Sequence, residues 1–84
     1  MTRYYFDFHE ADASLVDETG LELPDIAAAK RDALMGLLER AAELHDLGLD
    51  SNLRLEARTA SGNVFSASLS MSVDLARQPS AKVG

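Results

Sequence analysis

One long helical pattern, between Pro24 and Gly48, constrains the fold of this chain more than any other feature. Apolar side chains recur there at the spacing of one helix face, and acidic side chains fall on the opposite face. Asp25 is suited to cap the helix start, and Gly48 to the position just after its end. The predicted apolar face consists of Ile26, Ala33, Leu34, Leu37, Leu38, Ala41 and Leu44. Such a helix is stable mainly when this face packs against another apolar surface.

Two strand patterns precede the helix. Residues 3–9 alternate, with aromatic side chains on one side and polar side chains on the other, which predicts a half-buried strand. Residues 15–16 and 21–23 give a second strand pattern, which a turn interrupts and Pro24 ends. A short, broken, acidic strand of this kind is typical of the edge of a sheet.

Two further strand patterns follow the helix and form a predicted hairpin. Residues 53–58 and 64–75 alternate, and a loop of residues 60–62 would place Thr59 opposite Asn63. In this register every inward residue meets another inward residue, and a shift by one residue would turn one apolar set outward. The predicted inward pairs are Ala57 with Phe65, Leu55 with Ala67, and Leu53 with Leu69.

The order of these patterns predicts an α+β domain with the succession β-β-α-β-β. We expect a four-stranded, mainly antiparallel sheet that carries the one long helix on one face. With the strands numbered along the chain, the orders 2-1-3-4, 1-2-4-3 and 2-1-4-3 all remain open. Residues 1–75 are predicted to form this single domain, and residues 76–84 a disordered tail.

Charge and cysteine content argue against several classes of function. The net charge is −6, and it is uneven, since residues 1–50 contain 12 acidic and 4 basic residues, whereas residues 51–84 contain 2 and 4. Phosphate backbones and anionic lipids repel such a chain, so we expect neither general nucleic-acid binding nor membrane binding. Cysteine is absent, and we predict no disulfide, metal site or cofactor. We find neither an apolar run that spans a bilayer nor a secretory signal, so we expect a cytoplasmic protein.

The leading hypothesis is a small, non-enzymatic binding or regulatory module that acts through protein–protein contacts, with itself as a homodimer or with another protein. Three apolar residues of the last strand pattern, Met71, Val73 and Leu75, extend beyond the predicted end of the neighbouring strand. Met35 lies outside the apolar helix face, and alternating serines form a flat surface on which a strand or sheet could dock. The predicted interaction surface consists of Met35, Ser66, Ser68, Ser70, Met71, Ser72, Val73 and Leu75.

Two alternative functions stay open, although no catalytic residue is predicted. The carboxylates of the acidic loop, residues 10–25, together with His9, are ligand types that bind divalent cations, which would suit a metal-dependent or small-molecule enzyme. The more ordinary interpretation is a solvated acidic rim, because the spacing matches no EF-hand. Arg54 and Arg58 could bind nucleic acid weakly through one sheet face, but that face offers Tyr5 alone for base stacking.

Two segments carry a resemblance to a known family. The first is Arg3-Tyr4-Tyr5-Phe6-Asp7, and the second, more specific, is Asp17-Glu18-Thr19-Gly20-Leu21-Glu22-Leu23-Pro24-Asp25 before an alanine-rich helix start. With these segments the chain resembles, over most of residues 3–75, a family of small uncharacterised proteins of rhizobia and related alphaproteobacteria, classed as a domain of unknown function. The resemblance implies a short bacterial cytoplasmic protein and supplies no activity, ligand or catalytic residue.

Overall fold

The computed structural model describes residues 1–76, in which five antiparallel strands and one helix form an α+β domain. The elements are β1 Thr2–Glu10, β2 Ala13–Leu15, β3 Leu21–Leu23, α1 Ile26–Asp46, β4 Ser51–Thr59 and β5 Gly62–Met71. The predicted fold class is therefore confirmed. Within residues 1–76, no helix has the length and apolar character needed to cross a bilayer.

The sheet has the order β2-β1-β4-β5, and β3 also pairs with β1. The second predicted strand is thus two short strands, which lie end to end along one edge of β1 and contact its opposite ends. If β2 and β3 are counted as one broken strand, the structure has the order 2-1-3-4 of the three that the sequence left open. Val16, which was predicted to be in this strand, lies just outside β2.

The helix α1 begins and ends at the predicted capping residues. The side chain of Asp25 accepts a hydrogen bond from the backbone N–H of Ala28 at 2.8 Å, which satisfies one free donor of the first turn. Gly48 follows the last turn with a φ of +77°, a conformation that glycine adopts without a steric penalty.

The buried face of α1 is narrower and less bulky than predicted. It consists of Ala29, Ala33, Leu37, Ala41 and Leu44. The prediction missed Ala29 and was wrong for Ile26, Leu34 and Leu38, which are exposed. The alanines let the helix approach the sheet closely, so residues one position to either side of this stripe remain at its borders.

The core lies between α1 and the strands β4 and β5. Leu53, Leu55 and Ala57 of β4 are fully buried under the helix. Side chains from β1 and β5 pack around them but are only partly buried, namely Phe6, Phe8, Phe65, Ala67, Leu69 and Met71. The predicted packing of the helix across the aromatic face of the sheet is confirmed.

The hairpin of β4 and β5 keeps the predicted core register but not the predicted loop. Its turn has two residues, 60–61, so Thr59 pairs with Gly62 and not with Asn63. The ladder then shifts by one residue, which leaves Val64 as a β-bulge. Because the bulge absorbs the extra residue, the three predicted inward pairs form as expected. Gly62 has a φ of +121°, which favours glycine at that position.

The last strand ends earlier than predicted. β5 stops at Met71, which pairs with Ser51, so the prediction that Met71 has no neighbouring strand was wrong. Residues 72–76 have no regular structure. Within the predicted tail, residues 77–84 lie outside the described residues.

Candidate interaction surface

The outer edge of β5 has no strand beside it within residues 1–76. β4 pairs with one side of β5, and none of the other described strands pairs with its other side. The ten residues of β5 include no charged residue and no proline. Natural proteins usually protect such an edge, since its free N–H and C=O groups bind other strands. In the described part of the chain, nothing protects this edge in that way.

An apolar border of α1 lies beside this free edge. Leu34 and Leu38 are 48% and 44% exposed, and they line two adjacent shallow grooves between the helix and β5. Leu69 is common to both grooves, and Val73 lines the second one with 56% of its surface exposed. Large aliphatic side chains at this exposure leave apolar area in contact with water. We call the edge of residues 65–71, with Leu34, Leu38 and Val73, the β5 edge surface.

The structure divides the predicted interaction residues between two faces of the sheet. Met71 and Val73 lie on the helix side, in the groove that contains Leu38, and Met35 is 47% exposed on α1 next to Leu34. The serines at positions 66, 68 and 70 are exposed on the opposite face. Ser72 and Leu75 follow the strand and are exposed, Leu75 to 94%. The structure thus joins Met71 and Val73 of the predicted set in one groove, and it places the serine side chains of β5 on the other face.

The sequence interpretation missed Leu34 and Leu38 as surface residues because both fit the helical apolar period. A signal was present in the composition of the helix, where alanines at positions 29, 33 and 41 recur at the same period. Small residues mark the line of closest helix–sheet approach, so larger residues one position away fall at its border. The positions of the alanines therefore indicate that Leu34 and Leu38 lie at the side of the helix.

On the open sheet face, opposite α1, Arg58 organises a network of polar contacts. Its Nε donates a hydrogen bond to Oδ2 of Asp7 at 2.8 Å, and its Nη2 donates to the backbone carbonyl of Asp17 at 2.7 Å. The guanidinium lies 4.7 Å from the ring centroid of Tyr5, a cation–π distance. The hydrogen bond from Arg58 lowers the pKa of the Asp7 carboxyl below its ordinary value.

Asp17 fills the gap between β2 and β3 on the edge of β1. Its carboxylate accepts hydrogen bonds from the backbone N–H of Phe6 at 3.1 Å, and from those of Thr19 and Gly20 at 3.0 Å each. Phe6 lies where no strand pairs with this edge, so the side chain satisfies a donor that a strand would otherwise bind. Burial raises the pKa of the Asp17 carboxyl, but the three hydrogen bonds outweigh burial and the pKa is lowered.

Gly20 completes this loop at a position that admits no other residue without movement. Its φ is +75°, and an added Cβ would lie 2.8 Å from Cγ of Arg3 and 2.9 Å from Cε2 of Tyr5. Arg3 donates to the carbonyl of Thr19 at 2.8 Å and pairs with Glu22 at 3.2 Å. The most specific segment of the sequence, residues 17–25, is therefore the segment that locks this edge and then caps the helix.

His9 and the acidic loop form internal contacts. Nε2 of His9 lies 3.1 Å from Oε1 of Glu56, and Nδ1 lies 2.9 Å from Oγ of Ser14. Arg54 also hydrogen bonds Glu56, and the bonds from Arg54 and His9 lower the pKa of the Glu56 carboxyl. Among residues 1–76, no three His, Asp or Glu side chains converge as metal ligands do.

The first carboxylate of the acidic loop is bound to the helix. Arg40 donates from Nε to Oε1 of Glu10 at 2.7 Å and from Nη2 to Oε2 at 2.8 Å. This bidentate pair fixes the middle of α1 to the end of β1, and it lowers the pKa of the Glu10 carboxyl. The residues of the cation hypothesis are therefore distributed among separate contacts.

Fold and surface together define a small α+β domain in which, within residues 1–76, one sheet edge is short and interrupted and the other is a long strand with no strand beside it. Residues 3–70 match the DUF6894 family, a domain of unknown function, and the chain belongs to this family. A search of curated proteins and a search of solved structures each found no match. The match confirms the predicted membership in a domain of unknown function and assigns no activity.

Proposed function

We propose that this protein is a non-enzymatic binding module that acts through protein–protein contacts at the β5 edge surface. One observation carries the proposal. Among residues 1–76, no strand covers the edge of β5, which is uncharged and lies directly beside the half-exposed side chains of Leu34 and Leu38. An unpaired strand edge next to exposed apolar side chains has the two elements that bind a further strand.

The chemistry of this surface fits a polypeptide better than it fits other partners. Free backbone N–H and C=O groups are matched by the backbone of another strand, and the leucines are matched by apolar side chains on alternate positions. Nucleic acid is a weaker fit because the net charge is −6 and the two arginines of the open face are paired, Arg54 with Glu56 and Arg58 with Asp7.

We also propose a bacterial source and a cytoplasmic location for the protein. The resemblance implies a short protein of the alphaproteobacterial cytoplasm, where a reversible strand-pairing surface would act on other proteins. No specific observation favours the alternative enzyme that uses His9 and the acidic loop. Addition of Mg²⁺, Ca²⁺ or Zn²⁺ should therefore leave the NMR shifts of residues 9–25 unchanged, and a local shift would favour the enzyme.

Matched capture experiments test the proposal. The tagged wild-type chain is compared with Leu38→Glu, which places a charge in the β5 edge surface, and with Leu15→Glu, which places one on the opposite edge. Both leucines are exposed, so neither change should unfold the domain, and circular dichroism checks this. We expect Leu38→Glu to lose protein partners, including untagged copies of the chain itself, that wild type and Leu15→Glu retain. Equal loss or equal retention by both variants would reject the β5 edge surface.

A further inference from the structure

We infer that the partner of the β5 edge surface is a second copy of this chain, paired antiparallel through β5 about a two-fold axis at Ser68. The inference rests on the proposed function and names the partner of that same surface. It follows from the register of the strand, the position of α1 and the distribution of charge.

The two faces of the sheet restrict how two β5 strands can pair. A two-fold axis perpendicular to the sheet joins the strands antiparallel and keeps both helices on one face. Residues directly opposite each other in an antiparallel pair then lie on the same face. Beyond the bulge, the odd-numbered residues 65–71 face the helix side, so each must oppose an odd-numbered residue of the partner. The axis therefore passes through a residue and not between two residues.

The bulge at Val64 identifies that residue. Beyond the bulge, the regular part of β5 is residues 65–71, and Ser68 is its centre. With the axis at Ser68, Phe65 opposes the partner's Met71 and Ala67 opposes the partner's Leu69. Apolar side chains thus oppose apolar side chains on the helix side, and all seven residues of the regular segment are paired.

The same axis supplies a partner for the exposed helix border. Leu34 lines the groove beside residues 65–69, and Leu38 lines the groove beside Leu69, Met71 and Val73, so the two grooves meet at Leu69, one residue from Ser68. The two-fold operation makes the helices antiparallel and directs Leu34 toward the partner's Leu38. Neighbouring strands lie about 4.8 Å apart, which puts the two helices about 10 to 15 Å apart, within reach of large side chains.

Charge also favours a second copy. The chain is acidic overall, yet β5 contains no charged residue, so two acidic copies meet there without opposing carboxylates. Antiparallel helices also oppose the two helix dipoles, which is the favourable arrangement of neighbouring helices.

Cysteine cross-linking tests this geometry, because the natural chain contains no cysteine. Ser68→Cys places both thiols at the axis, where opposite Cα atoms are about 4.5 to 5.5 Å apart, within the range that a disulfide spans. Ser70→Cys is the matched control on the same strand and face, because its two copies would be about 14 Å apart. Under air oxidation, with O₂ accepting the electrons of the two thiols, we expect Ser68→Cys to cross-link at least about tenfold faster than Ser70→Cys.

A mixture gives a second, independent check of the register. Ser66 opposes the partner's Ser70 in this arrangement. A mixture of Ser66→Cys and Ser70→Cys should therefore cross-link through a disulfide between the two variants, whereas either variant alone should cross-link slowly. Equal rates for all three single variants, or a faster rate for Ser70→Cys, would overturn the axis at Ser68.

Light scattering separates failure of this inference from failure of the proposed function. We expect a dimer for the wild type and for Leu15→Glu, and a monomer for Leu38→Glu. A monomeric wild type at high concentration would overturn the second copy as partner. In that case, the proposed function would still stand if a different protein bound wild type and Leu15→Glu but not Leu38→Glu. If no partner of any kind depended on Leu38, both the proposed function and this inference would be rejected.

Discussion

The two edges of this sheet are built in opposite ways. The edge of β1 carries two strands of three residues each, separated by a loop whose Asp17 side chain replaces the missing strand contact. The edge of β5 is a ten-residue strand without a charge or a proline, interrupted only by the bulge at Val64. The first edge, which we call the closed edge, is thus short and interrupted, with Asp17 binding the Phe6 N–H in the gap, whereas the second, the open edge, is one long strand whose outer side pairs with no strand of residues 1–76.

Under the proposed function, this difference would direct association to the β5 side of the sheet. Of the 14 acidic residues in the chain, 6 lie in the acidic loop at the closed edge, where like charges repel a second acidic copy. The β5 strand contains no acidic residue, and the exposed side chains of Leu34 and Leu38 lie beside it. In the dimer that we propose, pairing at the β5 edge alone would give a closed assembly, whereas pairing at both edges would permit open fibres.

The largest effect is expected from Gly20→Ala at the closed edge. An alanine there combines a positive φ with a Cβ less than 3 Å from the side chains of Arg3 and Tyr5, and we expect a loss of about 2 to 4 kcal/mol in unfolding free energy. Urea denaturation measures this loss. Gly48→Ala is the control, since its φ is also positive but nothing lies within 4 Å of the added atom. Equal losses for both variants would show that the contacts of Gly20 do not matter.

Asp17→Ala should have the next largest effect. The substitution leaves three backbone donors without their acceptor, including the Phe6 N–H on the unpaired part of β1, and we expect a loss of about 1 to 3 kcal/mol. Hydrogen exchange should speed up at Phe6 in particular. Glu18→Ala, at the exposed neighbouring position, should change stability by no more than about 0.5 kcal/mol. Unchanged protection of Phe6 would contradict the role of Asp17 as a strand substitute.

Acid should weaken the closed edge before it affects the open one. The pKa values of Asp7 and Asp17 are lowered in the folded protein, so the unfolded chain binds more protons, and stability falls as protons are added. The stabilisation is fully present above about pH 5 and is lost as the pH falls through the lowered pKa values. Thermal unfolding between pH 7 and pH 3 measures this loss. Asp7→Asn should flatten the profile, and an unaltered slope would argue against the Arg58 contact.

Ser66→Lys on the open edge should have the smallest effect on folding. Ser66 is exposed on the polar face and makes no side-chain hydrogen bond among the described residues, so the change in unfolding free energy should stay within about 0.5 kcal/mol. Denaturation at low protein concentration, where any dimer is dissociated, isolates this effect. A loss as large as that of Gly20→Ala would break the contrast between a locked edge and a tolerant one.

Local features of the sequence were sufficient for the helix, its two caps and the core register of the hairpin. Helix capping depends on residues within a few positions of one another, as Asp25 and Ala28 show. The register of β4 against β5 depends on a period of two, which makes every wrong register turn an apolar set toward water. The alternation of apolar residues determined the register more strongly than the turn did. The predicted pairs of residues 53–57 with residues 65–69 were therefore correct, although the loop prediction was wrong.

Only the tertiary structure decided the strand order, the closed edge and the exposure of Leu34 and Leu38. Arg58 and Asp7 are 51 positions apart in the chain, and no local pattern indicates that such a pair will meet. The exposure of the two leucines depends on where the sheet ends. Helical spacing predicts which side of α1 is apolar, but it does not predict how much of that side the strands cover. Composition and periodicity thus determine the elements, whereas the finite width of the sheet determines which apolar residues remain for a partner.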